Sequence, residues 1–109
     1  MSLHIVWTHV ALQSLSEVFE YTYEEFGERQ LRKLASKIYS ATRRITALPL
    51  SGKLETEMTD ALGIEYRSTF VIKEIKLIYT ILDDTLYIEF VKNARMSNAT
   101  MLLRLTGED

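Results

Sequence analysis

GIEYRSTFVIKEIKLIYTILDDTLYIEFVK, residues 63–92, decides the fold. Residues 64 to 72 and 74 to 82 read as two strands. A third follows in which Leu86, Ile88 and Phe90 alternate with Tyr87, Glu89 and Val91, the period of two that a pleated backbone imposes. Asp83-Asp84 between the last two runs is compatible with a tight two-residue hairpin turn, though less diagnostic than Asn-Gly. The whole stretch is therefore an antiparallel meander. Arg67 is the awkward residue in it. A guanidinium stays charged at any physiological pH, so a strand position that keeps one must face water or hold an anionic partner.

Working outward, LHIVW at residues 3 to 7 places Leu3, Ile5 and Trp7 on one side and His4 and Val6 on the other, again a strand. Thr8 stands where a helix N-cap is wanted, and Leu12, Leu15, Phe19 and Phe26 then recur at helical steps. Gly27 breaks that helix. From Glu28 a second stripe runs through Leu31, Leu34, Ala35, Ile38, Ala41, Thr42, Ile45 and Leu48 until Pro49 ends it. Two helices joined by so short a break return antiparallel. After Lys92, a short C-terminal helix begins with Ser97 as its cap. The order β-α-α-β-β-β predicts an α+β fold: an antiparallel β-sheet with an N-terminal helical hairpin packed on one face.

A chain of 109 residues supports one core, and residues 1–109 are expected to form one domain. No apolar run approaches the roughly 18 to 20 residues that a membrane span requires. The opening residues lack a basic segment followed by an apolar one, so the cytoplasm is the default expectation. The absence of cysteine removes disulfides, thiolate metal sites and thiol nucleophiles. His4 and His9 stand apart from any carboxylate cluster with ligand spacing, so neither metal nor cofactor is implied. A net charge of −2 weighs against nucleic-acid binding, which generally needs a basic face, and leaves the distribution of charge to decide.

With these elements in place the chain resembles the RelE/ParE superfamily of toxins from bacterial type II toxin–antitoxin pairs, the plasmid-stabilisation type. The carriers are IVWTHVALQSL (5–15), ITALPLSGK (45–53), EYR (65–67), KLIYTI (76–81) with its Asp-Asp turn, and LYIEFV (86–91) followed by Arg95. Each is short, and their order and spacing carry the likeness over nearly the whole chain. The resemblance implies a toxin that arrests growth and a cognate antitoxin protein that silences it. It implies one of two targets, DNA gyrase or the ribosome with its mRNA. A third reading is a non-toxic antitoxin-binding relic. Fold alone does not choose among them.

Messenger-RNA cleavage needs a group to take the 2′-hydroxyl proton, another to protonate the leaving oxygen, and cations at the phosphate. In the cleaving branch, a tyrosine or histidine often serves in the last segment, but KNARMSNATMLLRLTG (92–107) holds no Tyr, His, Asp or Glu. The absence favours inhibition by binding, as in the gyrase branch. Three residues carry the site reading. Arg67 matches the arginine that in cleaving members meets phosphate, and its structural alternative is pairing with Glu65 or Glu89. Arg95 matches an arginine common after the last strand, its alternative being an exposed charge. Tyr87 is the remaining acid or base if the protein is a ribonuclease, and is otherwise packed. As target-binding residues, Arg67 and Arg95 are expected together on an open sheet face, if Tyr66 and Phe70 turn toward the helices. Lys53, Lys73 and Lys76 extend a small basic patch or, among Glu55, Glu57, Asp60, Glu65 and Glu74, form a solvated mixed surface.

Overall fold

The computed structural model describes residues 3–107. In chain order the elements are β1 (His4–Trp7), α1 (His9–Phe26), α2 (Glu28–Ala47), β2 (Lys53–Leu54), α3 (Thr56–Leu62), β3 (Arg67–Ile72), β4 (Ile75–Leu82), β5 (Thr85–Asn93) and α4 (Asn98–Thr106). A 3₁₀ turn, Pro49–Ser51, links α2 to β2.

The sheet order is β1-β5-β4-β3-β2. The meander β3-β4-β5 is antiparallel as expected, and Asp83 takes the positive φ of 56° that its tight turn demands. The first strand departs from an all-antiparallel sheet. It pairs parallel with β5, Ile5 opposite Leu86 and Trp7 opposite Ile88, so the sheet is mixed. Thr8 continues that ladder by donating its N–H to the Ile88 carbonyl, while its hydroxyl accepts from Ala11 N at 3.0 Å and caps α1.

Both faces of the sheet are covered. The α1–α2 hairpin lies on one, where Val18, Leu34, Ile38 and Ile45 pack against Leu77, Tyr79, Leu86, Ile88 and Val91. On the other, α3 and α4 bring Met58 and Met101 onto Tyr66, Ile78 and Phe90. Seven residues with little apolar periodicity gave α3 no sequence signature. The α1 stripe also differs from expectation. Ala11, Ser14, Val18 and Thr22 face the sheet, Leu15 and Phe19 flank the core, and Leu12 and Phe26 are exposed. On α2, Ala35 and Leu48 are exposed while the rest of the stripe packs inward.

A bulge explains why β5 does not keep simple alternation. Ile78 faces Phe90 but Tyr79 faces Ile88, which leaves Glu89 as an extra residue. Beyond it the phase inverts, so Val91 rather than Phe90 joins the hairpin core. Ser14 of α1 fills the resulting gap: its hydroxyl accepts from Val91 N at 2.9 Å and donates to the Ala11 carbonyl at 2.8 Å. The Ser14 hydroxyl thus ties helix to sheet at the irregularity.

Candidate functional site

The three residues singled out by sequence lie apart. Arg67 opens β3 opposite Tyr79, whose ring sits in the hairpin core, so Arg67 points to the hairpin side and not to an open face. Tyr66, Ser68 and Phe70 take the opposite side, the reverse of the sequence expectation. The cause is the register, which pins Tyr66 among the Met58 and Met101 contacts. The Arg67 guanidinium meets Glu65 Oε1 at 2.9 Å and donates to the carbonyls of Gly52 at 2.9 Å and Leu50 at 3.4 Å. It therefore clamps the turn after α2.

Tyr79 clamps the same turn from below. Its fully buried hydroxyl donates to the Pro49 carbonyl at 2.7 Å and accepts from Gly52 N at 3.1 Å. A Cβ on Gly52 would stand 2.2 Å from that hydroxyl oxygen and 2.8 Å from the Ser68 carbonyl. Glycine is required here by close approach rather than by dihedral freedom. The ITALPLSGK segment is thus held by residues 15 to 30 positions further on.

Tyr87 faces Thr80 and Val6 across the sheet and lies half-buried on the α3–α4 side. Arg95 lies beyond Asn93, which pairs with Ile75. Four residues of β4, about 13 Å at 3.3 Å per residue, separate its level from that of Arg67. No common locus receives all three. Tyr66 is no substitute base, because burial, with the nearby Glu89 carboxylate, pushes its hydroxyl up to about 12.

Arg95 borders a groove of about 600 Å³ at the hairpin tip, floored by Val18, Leu34, Ile75 and Val91. Its guanidinium sits 5.3 Å from the centre of the Tyr21 ring and donates to the Tyr21 hydroxyl at 3.1 Å. Tyr21 meets Phe26 edge to face at 6.3 Å. Tyr21, Tyr23 and Phe26 are all exposed, Phe26 to 63%. Lys33 and Lys37 stand on the α2 rim, with Glu17 and Glu74 across from them. An apolar floor with an aromatic lip and charged rim suits an amphipathic peptide segment.

A second polar constellation lies on the α3–α4 side. Glu55 receives the Ser68 hydroxyl at 2.5 Å and Lys76 Nζ at 2.8 Å. Burial alone would raise the Glu55 pKa, but these bonds and the Lys76 charge outweigh it and hold the carboxyl below its usual value. Lys92 stands opposite Lys76 in the ladder, is nine-tenths buried, and has no ion pair or hydrogen bond among the described residues. Burial, then the Lys76 charge, lowers its pKa. Sequence reading put Lys76 and Glu55 near each other but missed Lys92, because a lysine ending a strand looks like a wet edge until the bulge turns it inward. Among the described residues no group of three or more His, Asp or Glu side chains is placed to hold a metal ion, and no helix is long and apolar enough to cross a membrane.

Comparison with known proteins bears on the fold alone. No family model matches the chain, and no curated protein does. Among solved structures, the chain is similar to one described as the chromosomal ParDE TA system from P. aeruginosa, with a TM-score of 0.67 at 12% identity, over 84% of this chain and 96% of that one. The mixed sheet with its N-terminal helical hairpin is thus an architecture shared with a chain of that toxin–antitoxin system.

Proposed function

We propose that this protein is the toxin of a type II toxin–antitoxin module and that it acts by binding and inhibiting its target, DNA gyrase by family precedent, rather than by cleaving RNA. The observation that carries the reading is the likeness of fold to a ParDE chain across 84% of the protein. The geometry adds support for binding over hydrolysis. Arg67 is engaged by a carboxylate and two carbonyls, while Tyr87 and Arg95 lie on other surfaces, so the tyrosine does not stand beside a pair of arginines as a proton-transfer group would. Arg95, exposed and held only by an exposed tyrosine, is the target-binding candidate that remains available. The groove at the hairpin tip is the seat for an antitoxin segment that folds as it binds, the ordering cost being offset by apolar burial.

Induced expression in a bacterial host tests the reading. Growth arrest relieved by coexpressing the small open reading frame beside this gene is the expected outcome. DNA breaks with an SOS response identify gyrase, and codon-positioned cuts in messenger RNA would replace inhibition by binding with ribosome-dependent cleavage. Normal growth at verified soluble expression overturns toxicity.

A further inference from the structure

The charge that the totals conceal is concentrated on one helix. The chain carries 13 Lys and Arg against 15 Asp and Glu. Six of those cations, Arg29, Arg32, Lys33, Lys37, Arg43 and Arg44, lie on α2, which holds a single acid, Glu28. At about 100° per residue they all fall within roughly 140° of arc, away from the buried Leu34, Ile38, Ala41 and Ile45, with Arg29, Arg32 and Arg43 outermost and Lys33 and Lys37 nearer the groove rim. Within that arc the other residues are Ser36, Ser40 and Ala47, with no acid. All six cations are exposed. Only Arg32 has a carboxylate partner, Glu28 at 3.0 Å. Arg44 donates to Thr69 and the Phe70 carbonyl, and Arg43 lies over Tyr39. A helix face that is merely solvated usually mixes both signs in i,i+4 pairs; here Arg32–Glu28 is one such pair against six cations.

We propose that the outer face of α2 binds the phosphate backbone of duplex DNA, without base specificity. From Arg29 to Arg44 the cations span about 22 Å at 1.5 Å per residue. Arg32 and Arg43 lie on one side of the Ser36–Ser40 strip, Lys33, Lys37 and Arg44 on the other. Two rows of long cations beside a low strip of small hydroxyl residues match paired phosphate rows flanking a groove, which serines can approach as further donors. Single strands are less well served, since their binding relies on a series of aromatic stacking platforms and the one ring beside this arc, Tyr39, already carries the Arg43 guanidinium. The remaining chain, with seven cations against fourteen acids, repels the same backbone, so contact is confined to this face. The inference is independent of toxicity, because it is read on the purified chain.

Fluorescence anisotropy with a labelled duplex of arbitrary sequence tests it between 50 and 200 mM salt. The wild-type chain is expected to bind, with affinity falling on a log–log plot at about −0.9 per phosphate contacted. The triple variant R29A/R32A/R43A should flatten that slope by roughly 2 to 3 and weaken binding at 50 mM salt by at least about tenfold. Its circular dichroism and melting temperature should stay near wild type. Arg43→Ala should weaken binding more than Lys73→Ala, which removes a cation from the β3–β4 turn. No binding at 50 mM salt, equal losses from Arg43→Ala and Lys73→Ala, or equal affinity for single-stranded RNA or poly-glutamate would overturn the proposal. Self-association lost in the triple variant, without DNA binding, would overturn it in favour of a second copy as the occupant.

Discussion

The two ends of the sheet treat arginine in opposite ways. At the end where α2 turns into β2, Arg67 is half-buried and every arm of its fork is engaged by Glu65, Gly52 or Leu50, with Tyr79 holding the same turn from the core. At the hairpin tip, Arg95 rests on an exposed tyrosine ring beside an apolar groove. A guanidinium surrounded by fixed acceptors organises its own chain. One that has only an exposed aromatic partner retains donors for another molecule.

The strongest way to break the clamped end is Gly52→Val. A β-branched side chain would collide with the Tyr79 hydroxyl and the Ser68 carbonyl, one of them backbone and unable to yield. A loss of about 3 kcal/mol or more is expected, above the usual overpacking range because two hydrogen bonds fail together. Urea denaturation checks it; a loss under about 1 kcal/mol would show that the turn is loose and that Arg67 has spare donors.

Next in size is Arg67→Ala, expected to cost about 1–3 kcal/mol, since it strands the Gly52 carbonyl at a half-buried site. The exposed Glu65 partner adds little to that figure. Any loss of toxicity should then follow the loss of folded protein. A variant that melts like wild type yet is non-toxic would reverse this assignment and return Arg67 to the target-binding role expected from the sequence resemblance.

How much of this was legible in the sequence follows from the range of each interaction. The hairpin, the meander and the Thr8 and Ser97 caps were readable because each rests on residues a few positions apart. The side on which Arg67 lies was not. Alternation divides Arg67 from Tyr66 and Phe70, but only the pairing of β3 with β4 and the packing of Met58 and Met101 select the face. The parallel edge strand and the Glu89 bulge were hidden for the same reason: both depend on contacts across some eighty positions or on a register slip that no local pattern records. Site residues inherited that uncertainty, so Arg67 and Arg95, equals by sequence pattern, end in unlike surroundings.

The clamped end should also be the acid-sensitive one. Glu55 joins β2 to α3, and its folded pKa lies below its ordinary value, chiefly because Lys76 and Ser68 outweigh burial. A depressed carboxylate contributes stability above its unfolded pKa of about 4.5 and loses it as pH falls through the folded value. Glu55→Gln should therefore be less stable than wild type at pH 7, with the gap closing as the pH drops below that window. Thermal melts from pH 7 to pH 3 measure the gap; a constant difference would mean that the charge on Glu55 is not what Lys76 responds to.

The smallest effect on stability belongs to Arg95→Ala, and it is the most informative about the open end. The side chain is exposed and its one hydrogen bond goes to an exposed hydroxyl, so less than about 1 kcal/mol is expected. If Arg95 contacts the target, growth arrest should be lost although the purified variant melts near wild type. Lysine separates two ways of losing it. A point charge keeps general attraction but not a two-pronged hydrogen bond or flat stacking on Tyr21, so Arg95→Lys should remain folded and largely inactive. A fully toxic lysine variant would mean that only the charge matters. A fully toxic alanine variant would remove Arg95 from the target interface altogether and leave its place beside the groove as part of the antitoxin seat, which loss of affinity for the purified antitoxin would then reveal.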